Sequence, residues 1–219
     1  MELDRRKMGQ QVATIITQVE VDPRDKAFDN PTKPIGNFMS KEEAEVLRKK
    51  GISVMEDAGR GWRQVVASPK PVAIIESETI KTMLAAGQIP IAAGGGGIPV
   101  AMKDGQYRGQ PAVIDKDFSA AKLAEFIDAD ILIILTAVEK VAINFNKPDQ
   151  KWLDTLTIAE AERYIAEGHF AKGSMLPKVE AAISFVKSAP ADKPRSTLIT
   201  LLTKARAAIE EKTGTRIIQ

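Results

Sequence analysis

Polar and apolar positions change texture twice along the chain. Residues 12–18 (VATIITQ) are short, β-branched and mostly apolar, which predicts a buried strand. Residues 22–70 break that regularity. Pro23, Pro31, Pro34 and Pro69, with glycines at 36, 51, 59 and 61, punctuate the segment. It holds one predicted helix, 41–50, with Ser40 as N-cap, and two short strands over 52–56 and 63–67. The segment reads as a small protruding lid inserted in one domain that spans 1–219. From residue 74 the pattern turns periodic. Helices are predicted over 76–86, 116–128, 158–167, 174–187 and 204–211, and strands over 89–93, 130–136, 197–200 and 214–218. A hairpin is expected about Asp104-Gly105, between 98–103 and 106–107. The run DILIILT at 130–136 is nearly unbroken in apolarity, as expected of a strand covered on both faces. Alternating strands and helices predict an α/β fold with a mainly parallel central sheet. Ligands in such sheets sit at the carboxyl ends of the strands.

Composition narrows the chemistry. Net charge is only +2, so the basic field that nucleic-acid binding requires is missing. No apolar run approaches the length of a membrane span, and the charged start MELDRRK is unlike a secretory signal. The chain has no cysteine, which removes disulfides and thiolate metal sites and fits a cytoplasmic protein. Its single histidine, His169, is a poor basis for a zinc site or a serine triad. Lysines, carboxylates and backbone amides must therefore carry any catalysis, and no metal site on the protein is expected.

Several clusters could do so. Gly94, Gly95, Gly96 and Gly97 directly follow a predicted strand, and four unshielded amides there can cradle an anion; the plainer reading is a tight turn. Asp115-Lys116-Asp117 falls between AVI (112–114), taken as a strand end, and a helix start, where anions are favoured; equally, the aspartates are capping residues. Lys178 lies in the first turn of the helix after Gly173-Ser174, with Ser174 as candidate N-cap. A cation is unfavourable there unless a phosphate answers it, although a solvated lysine is the commoner case. Lys33 stands between Pro31 and Pro34 in a segment that reads as a rigid loop. The 56–63 run (EDAGRGWR) is better read as a polar turn around a packed Trp62, and His169 as a local partner of a helix carboxyl end. The usual nucleotide signatures are absent: there is no G-x-x-x-x-G-K-[ST], and Gln64 takes the last glycine position of a would-be G-x-G-x-x-G.

Taken in order, TQVEVDPRDKAFDNPTKPIG (17–36), EDAGRGWRQVVASPKP (56–71), GGGGIPV (94–100), AVIDKD (112–117), ADILIILTAVEKV (129–141), GHFAKGSMLPKVEAA (168–182) and TGTRI (213–217) resemble the carbamate kinases of the amino-acid kinase superfamily. The resemblance runs from about Val12 to the end of the chain. It implies a three-layer α/β/α sandwich, a homodimer, and reversible phosphoryl transfer between carbamoyl phosphate and ADP, giving ATP and carbamate, with Mg2+ accompanying the nucleotide. By the same resemblance, Lys116 and Lys178 contact the nucleotide phosphates and the migrating group, and Asp115 orients them. Lys33 reaches the substrate from the lid. Thr136, Ala137 and Val138, with Met175 and Pro177, surround the adenosine, and Asp117 and the four glycines join the cofactor-binding set. Two departures stand out: Ala137 where many members carry aspartate, and Leu176 where many carry glycine. They leave open which acyl group is accepted. The family's first strand, its glycine-asparagine loop and a second glycine-rich loop have no counterpart, so the chain is expected to represent the carboxyl-terminal two-thirds of the family's length. The alternative from another class is a silent remnant that binds nucleotide or dimerises without catalysis.

Overall fold

The computed structural model describes residues 2–57 and 59–219. Of the 56–63 turn, Ala58 lies outside the described residues. The chain forms two compact units. The first comprises residues up to 76 with 86–116, and the second comprises 77–85 with 117–219. Strands and helices alternate as the sequence predicts, and the fold is α/β. No helix among the described residues is long and apolar enough to cross a membrane.

In the first unit, a four-stranded sheet runs in the order Pro71–Ile74, Gln18–Val21, Ile98–Lys103, Gln106–Gly109. Its centre buries Val19, Val21 and Val100. The expected hairpin is present, and Asp104 (φ 51°) and Gly105 (φ 75°) supply the two left-handed residues that a two-residue turn needs. The single strand expected over 12–18 is instead two. Val12–Thr14 pairs in parallel with Ile89–Ile91, while Gln18–Val21 belongs to the four-stranded sheet. Between them Thr17 turns the chain: its hydroxyl donates to the Ile15 carbonyl and accepts the Ala93 amide. Residues 112–114 are likewise not a strand, and only an isolated bridge joins Ala112 to Ala67.

The segment expected as a lid holds a three-stranded sheet, Lys33–Met39, Trp62–Val66, Val54–Glu56, with the helix Lys41–Lys49 against it. That helix starts where the sequence places it. Ser40 accepts from the Glu43 amide and Glu43 accepts from the Ser40 amide, a full capping box. The 30–36 segment is not simply a rigid loop, because Lys33 opens a strand. Pro34 is tolerated because that strand is at the sheet edge, where its missing N–H interrupts no ladder on the open side.

The second unit carries a sheet ordered Ile131–Thr136, Ser196–Leu201, Thr215–Ile218, Thr155–Thr157, in which two of the three pairings are parallel. The helix Met175–Lys187 lies on it and buries Val179, Ala182, Ile183 and Val186 at helical spacing, with Phe185 also enclosed. These residues, with Leu132, Ile134, Leu156, Ile199 and Ile217, form the core cluster. The helix Ile158–Ala166 begins with a second capping box, Thr157 with Glu160. Ser174 does not act as an N-cap, since its side chain bonds no helix amide. The Ala171 carbonyl does that work instead, accepting from the amides of Ser174 and Leu176. A hairpin the sequence reading lacks, Val141–Ile143 with Lys151–Leu153, follows the central strand.

Candidate functional site

Two lysine–carboxylate pairs hold the chemistry-bearing residues, one in each unit. In the first unit Lys33 Nζ donates to Asp115 Oδ2 at 2.5 Å. Asp115 is buried, and Lys33 keeps about a third of its side chain exposed. The lysine is fixed because it is the first residue of a lid strand paired at Val66. The aspartate is fixed because Ile114, just before it, is buried under the glycine loop. A Cβ on Gly96 would come within 2.1 Å of the Ile114 carbonyl oxygen, so only glycine permits that approach. The loop is a single tight turn, with left-handed Ala93 held by Thr17, and Gly94 and Gly95 open on their outer side. The structure thus brings Gly94, Gly95, Gly96, Gly97, Lys33 and Asp115 into one unit.

In the second unit Lys178 Nζ donates to Asp117 Oδ2 at 2.7 Å, and both side chains are about nine-tenths buried. Lys178 sits in the first helical turn, where the helix dipole disfavours a cation, and Asp117 offsets that cost. Asp115, Lys116 and Asp117 are consecutive, so the exposed Lys116, first residue of the helix Lys116–Phe126, is flanked in the chain by the two paired carboxylates.

Beside Lys178 the second unit contains a cavity of about 220 Å3. Thr136, Ala137, Val138, Met175 and Lys178 line it, at the carboxyl end of the strand Ile131–Thr136. Pro177, half-buried in the same helix turn, is not on the lining. Phe145, His169 and Phe170 also line it, and sequence reasoning missed all three in this role. No periodic signal marks them, because Phe145 lies in the irregular hairpin loop 144–150 and His169 and Phe170 follow the end of the helix Ile158–Ala166. His169 does more than face a helix end: Nε2 lies 3.0 Å from Glu167 Oε2, and Nδ1 lies 3.4 Å from the Asn144 amide nitrogen. Among the described residues no group of three or more histidines or carboxylates is placed to hold a metal ion.

Within the second unit, a lysine held beside a cavity suits an anionic ligand. Paired carboxylates hold lysine ammonium groups in place without neutralising every donor, since each ammonium has three. An apolar cavity beside one such lysine fits a ligand with a flat apolar end and a charged end.

A family model described as the amino acid kinase family matches residues 37–192. The chain is 62% identical over 218 residues to the carbamate kinase-like protein YqeA of Escherichia coli (strain K12), covering 100% of this chain and 69% of that protein. It is 58% identical over 219 residues to a carbamate kinase of Clostridium perfringens (strain 13 / Type A), again covering 69% of the relative's length. Among solved structures, carbamate kinase from Giardia lamblia bound to AMP-PNP superposes with a TM-score of 0.86 at 42% identity, covering 99% of this chain and 68% of that one.

Proposed function

Taking as premise that the chain belongs to the amino acid kinase family and is a carbamate kinase-like phosphotransferase, we propose that it transfers a phosphoryl group reversibly between carbamoyl phosphate and ADP. The observation that carries this reading is the pair of buried carboxylates, Asp115 and Asp117, each holding a lysine and together flanking a third in sequence. An oxygen of the ADP β-phosphate attacks phosphorus, the bond to the carbamoyl oxygen breaks, and carbamate leaves with the electron pair. Little covalent work falls to the protein. Catalysis is positioning and neutralisation of charge on the moving group. Lysines serve as compact, mobile cations for this task. Lys116 and Lys178 take the nucleotide phosphates and the migrating group, with Asp117 setting the pose of Lys178 and Asp115 that of Lys33. Lys33 brings a further charge from the lid, so that lid position governs transfer. The cavity at Thr136, Ala137 and Val138, with Met175, takes the adenosine. Pro177 contributes by shaping the helix start, where its missing N–H costs nothing. The glycine loop presents amides to an anion.

Mg2+ would accompany the nucleotide as part of the substrate and would supply charge neutralisation at its phosphates. The same reading makes the protein a cytoplasmic homodimer working in arginine metabolism, with no nucleic-acid or membrane partner.

ATP formation from ADP and carbamoyl phosphate by the purified chain tests it. Lys116→Ala is expected to lose about a hundredfold or more in rate, the usual cost of one preorganised charge. A variant as fast as the wild type would remove Lys116 from the mechanism.

A further inference from the structure

The nucleotide reading uses Lys178 for the phosphates and Thr136, Ala137, Val138 and Met175 for the adenosine, and leaves His169 without a task. We infer that His169 is a positioning residue for the base end of a purine nucleoside diphosphate or triphosphate, acting through the loop that carries Phe145. This rests on the nucleotide reading above and adds to it a residue that the phosphate chemistry does not need.

The Asn144 backbone amide points at His169 Nδ1 across 3.4 Å, and an amide can only donate. Nδ1 therefore carries the lone pair and the ring proton sits on Nε2, where it donates to Glu167 Oε2 at 3.0 Å. Tyr164 meets the imidazole edge-on, with centroids 5.4 Å apart, and its carbonyl accepts the His169 amide. The ring is thus fixed by the end of the helix Ile158–Ala166 and in turn holds Asn144. Asn144 is left-handed (φ 52°), a region asparagine enters more readily than most residues, and its amide is the group that His169 holds.

Holding Asn144 in place also places its neighbour. Phe145 is the next residue, lines the cavity, and meets Trp152 edge-on with centroids 6.1 Å apart. Phe145 and Trp152 are 49% and 46% exposed, so burial alone does not place them. Other bonds of this loop, Asn144 Nδ2 to Asp149 Oδ2 and the Asn146 amide to Gln150 Oε1, are internal to it. The bond to His169 ties it to a cavity residue outside the loop. The charged groups lining the cavity, Lys140 and Lys178, are held by Asp154 and Asp117, which leaves the wall between Phe145 and Phe170 apolar. A flat base needs such a wall at a set distance.

The test compares ADP with tripolyphosphate, which has the charge but no base. Binding of each to the full chain is measured by calorimetry for wild type, His169→Ala and His169→Asn. Trp152 emission is followed in a Trp62→Phe background. His169→Ala should bind ADP about tenfold more weakly, the worth of one lost tether. Its Trp152 response should be blunted and its affinity for tripolyphosphate unchanged. His169→Asn, whose Oδ1 can stand in for Nδ1 as acceptor, should recover ADP affinity to within about threefold of wild type. Unchanged ADP affinity in His169→Ala, no recovery in His169→Asn, or equal losses for ADP and tripolyphosphate would each overturn the inference while leaving the nucleotide reading in place. A wild type that binds tripolyphosphate but not ADP would remove the nucleotide reading and the inference together.

Discussion

Replacing Gly96 with alanine probes how the glycine loop seats the first lysine–carboxylate pair. A Cβ there would lie 2.1 Å from the Ile114 carbonyl oxygen and 3.0 Å from its carbon, at φ +116°. Both neighbours are backbone, so no side-chain rotation relieves the overlap. Strained positive φ costs about 1–3 kcal/mol, and forcing extra volume into a close-packed contact costs about 1–3 kcal/mol more. The sum is about 2–6 kcal/mol, or a fall of about 4–24 °C in melting temperature for a chain of this size. Gly94→Ala is the matched control: its added methyl meets nothing within 4 Å, and its cost should stay within about 0.5 kcal/mol. Ile114 immediately precedes Asp115, so the displacement should also reach the Lys33–Asp115 pair and lower phosphotransfer beyond the loss of folded protein. Thermal melts followed by circular dichroism, with activity measured well below the midpoint, read both effects. Gly96→Ala melting together with Gly94→Ala would refute the reasoning that Gly96 is demanded by a backbone contact.

Other contacts give three further expected outcomes. Asp117→Ala leaves Lys178 buried without its partner and should destabilise by about 3–5 kcal/mol, with the double variant Asp117→Ala/Lys178→Met recovering part of that; denaturant titrations showing strictly additive losses would count against the pair. Ser40→Ala removes one half of a capping box and should cost about 0.5–2 kcal/mol, seen as faster amide exchange confined to the lid helix Lys41–Lys49. The Lys193 ammonium, and after it the Arg195 guanidinium, hold the Asp128 carboxyl below its ordinary range. A depressed carboxyl contributes stability above its unfolded value of about 3.9 and loses it as pH falls through the lower folded value. Asp128→Asn should therefore melt earlier than wild type at pH 7, with the gap closing in acid; a gap that widens below pH 4 would contradict the sign.

The residues differ in how far their roles could be read in sequence. The Ser40 cap, the Asp104-Gly105 turn and the apolar run ending at Thr136 are local signals, and the structure places the corresponding elements within a residue or two of the predicted bounds. Pro34 misled in the opposite direction. It reads as a loop residue, yet an edge strand accommodates it. The pairing of Lys33 with Asp115 spans 82 residues, and no periodicity announces it. Only the ordered family segments brought those two residues into one account. The hairpin Val141–Ile143 with Lys151–Leu153 was illegible because its strands are three residues long and its loop turns on two left-handed asparagines, Asn144 and Asn146. His169 looked like a helix-end residue because its partner Asn144 is recognised through a backbone amide, which carries no side-chain signal.

The central claim is transfer of phosphorus itself, and label placement tests it most directly. Carbamoyl phosphate labelled in its phosphoryl group is incubated with ADP, Mg2+ and the purified chain, and the nucleotides are separated. The account predicts label in the γ-phosphate of ATP, with little from Lys116→Ala. Label found only in inorganic phosphate, or left entirely in carbamoyl phosphate by folded protein, would contradict it.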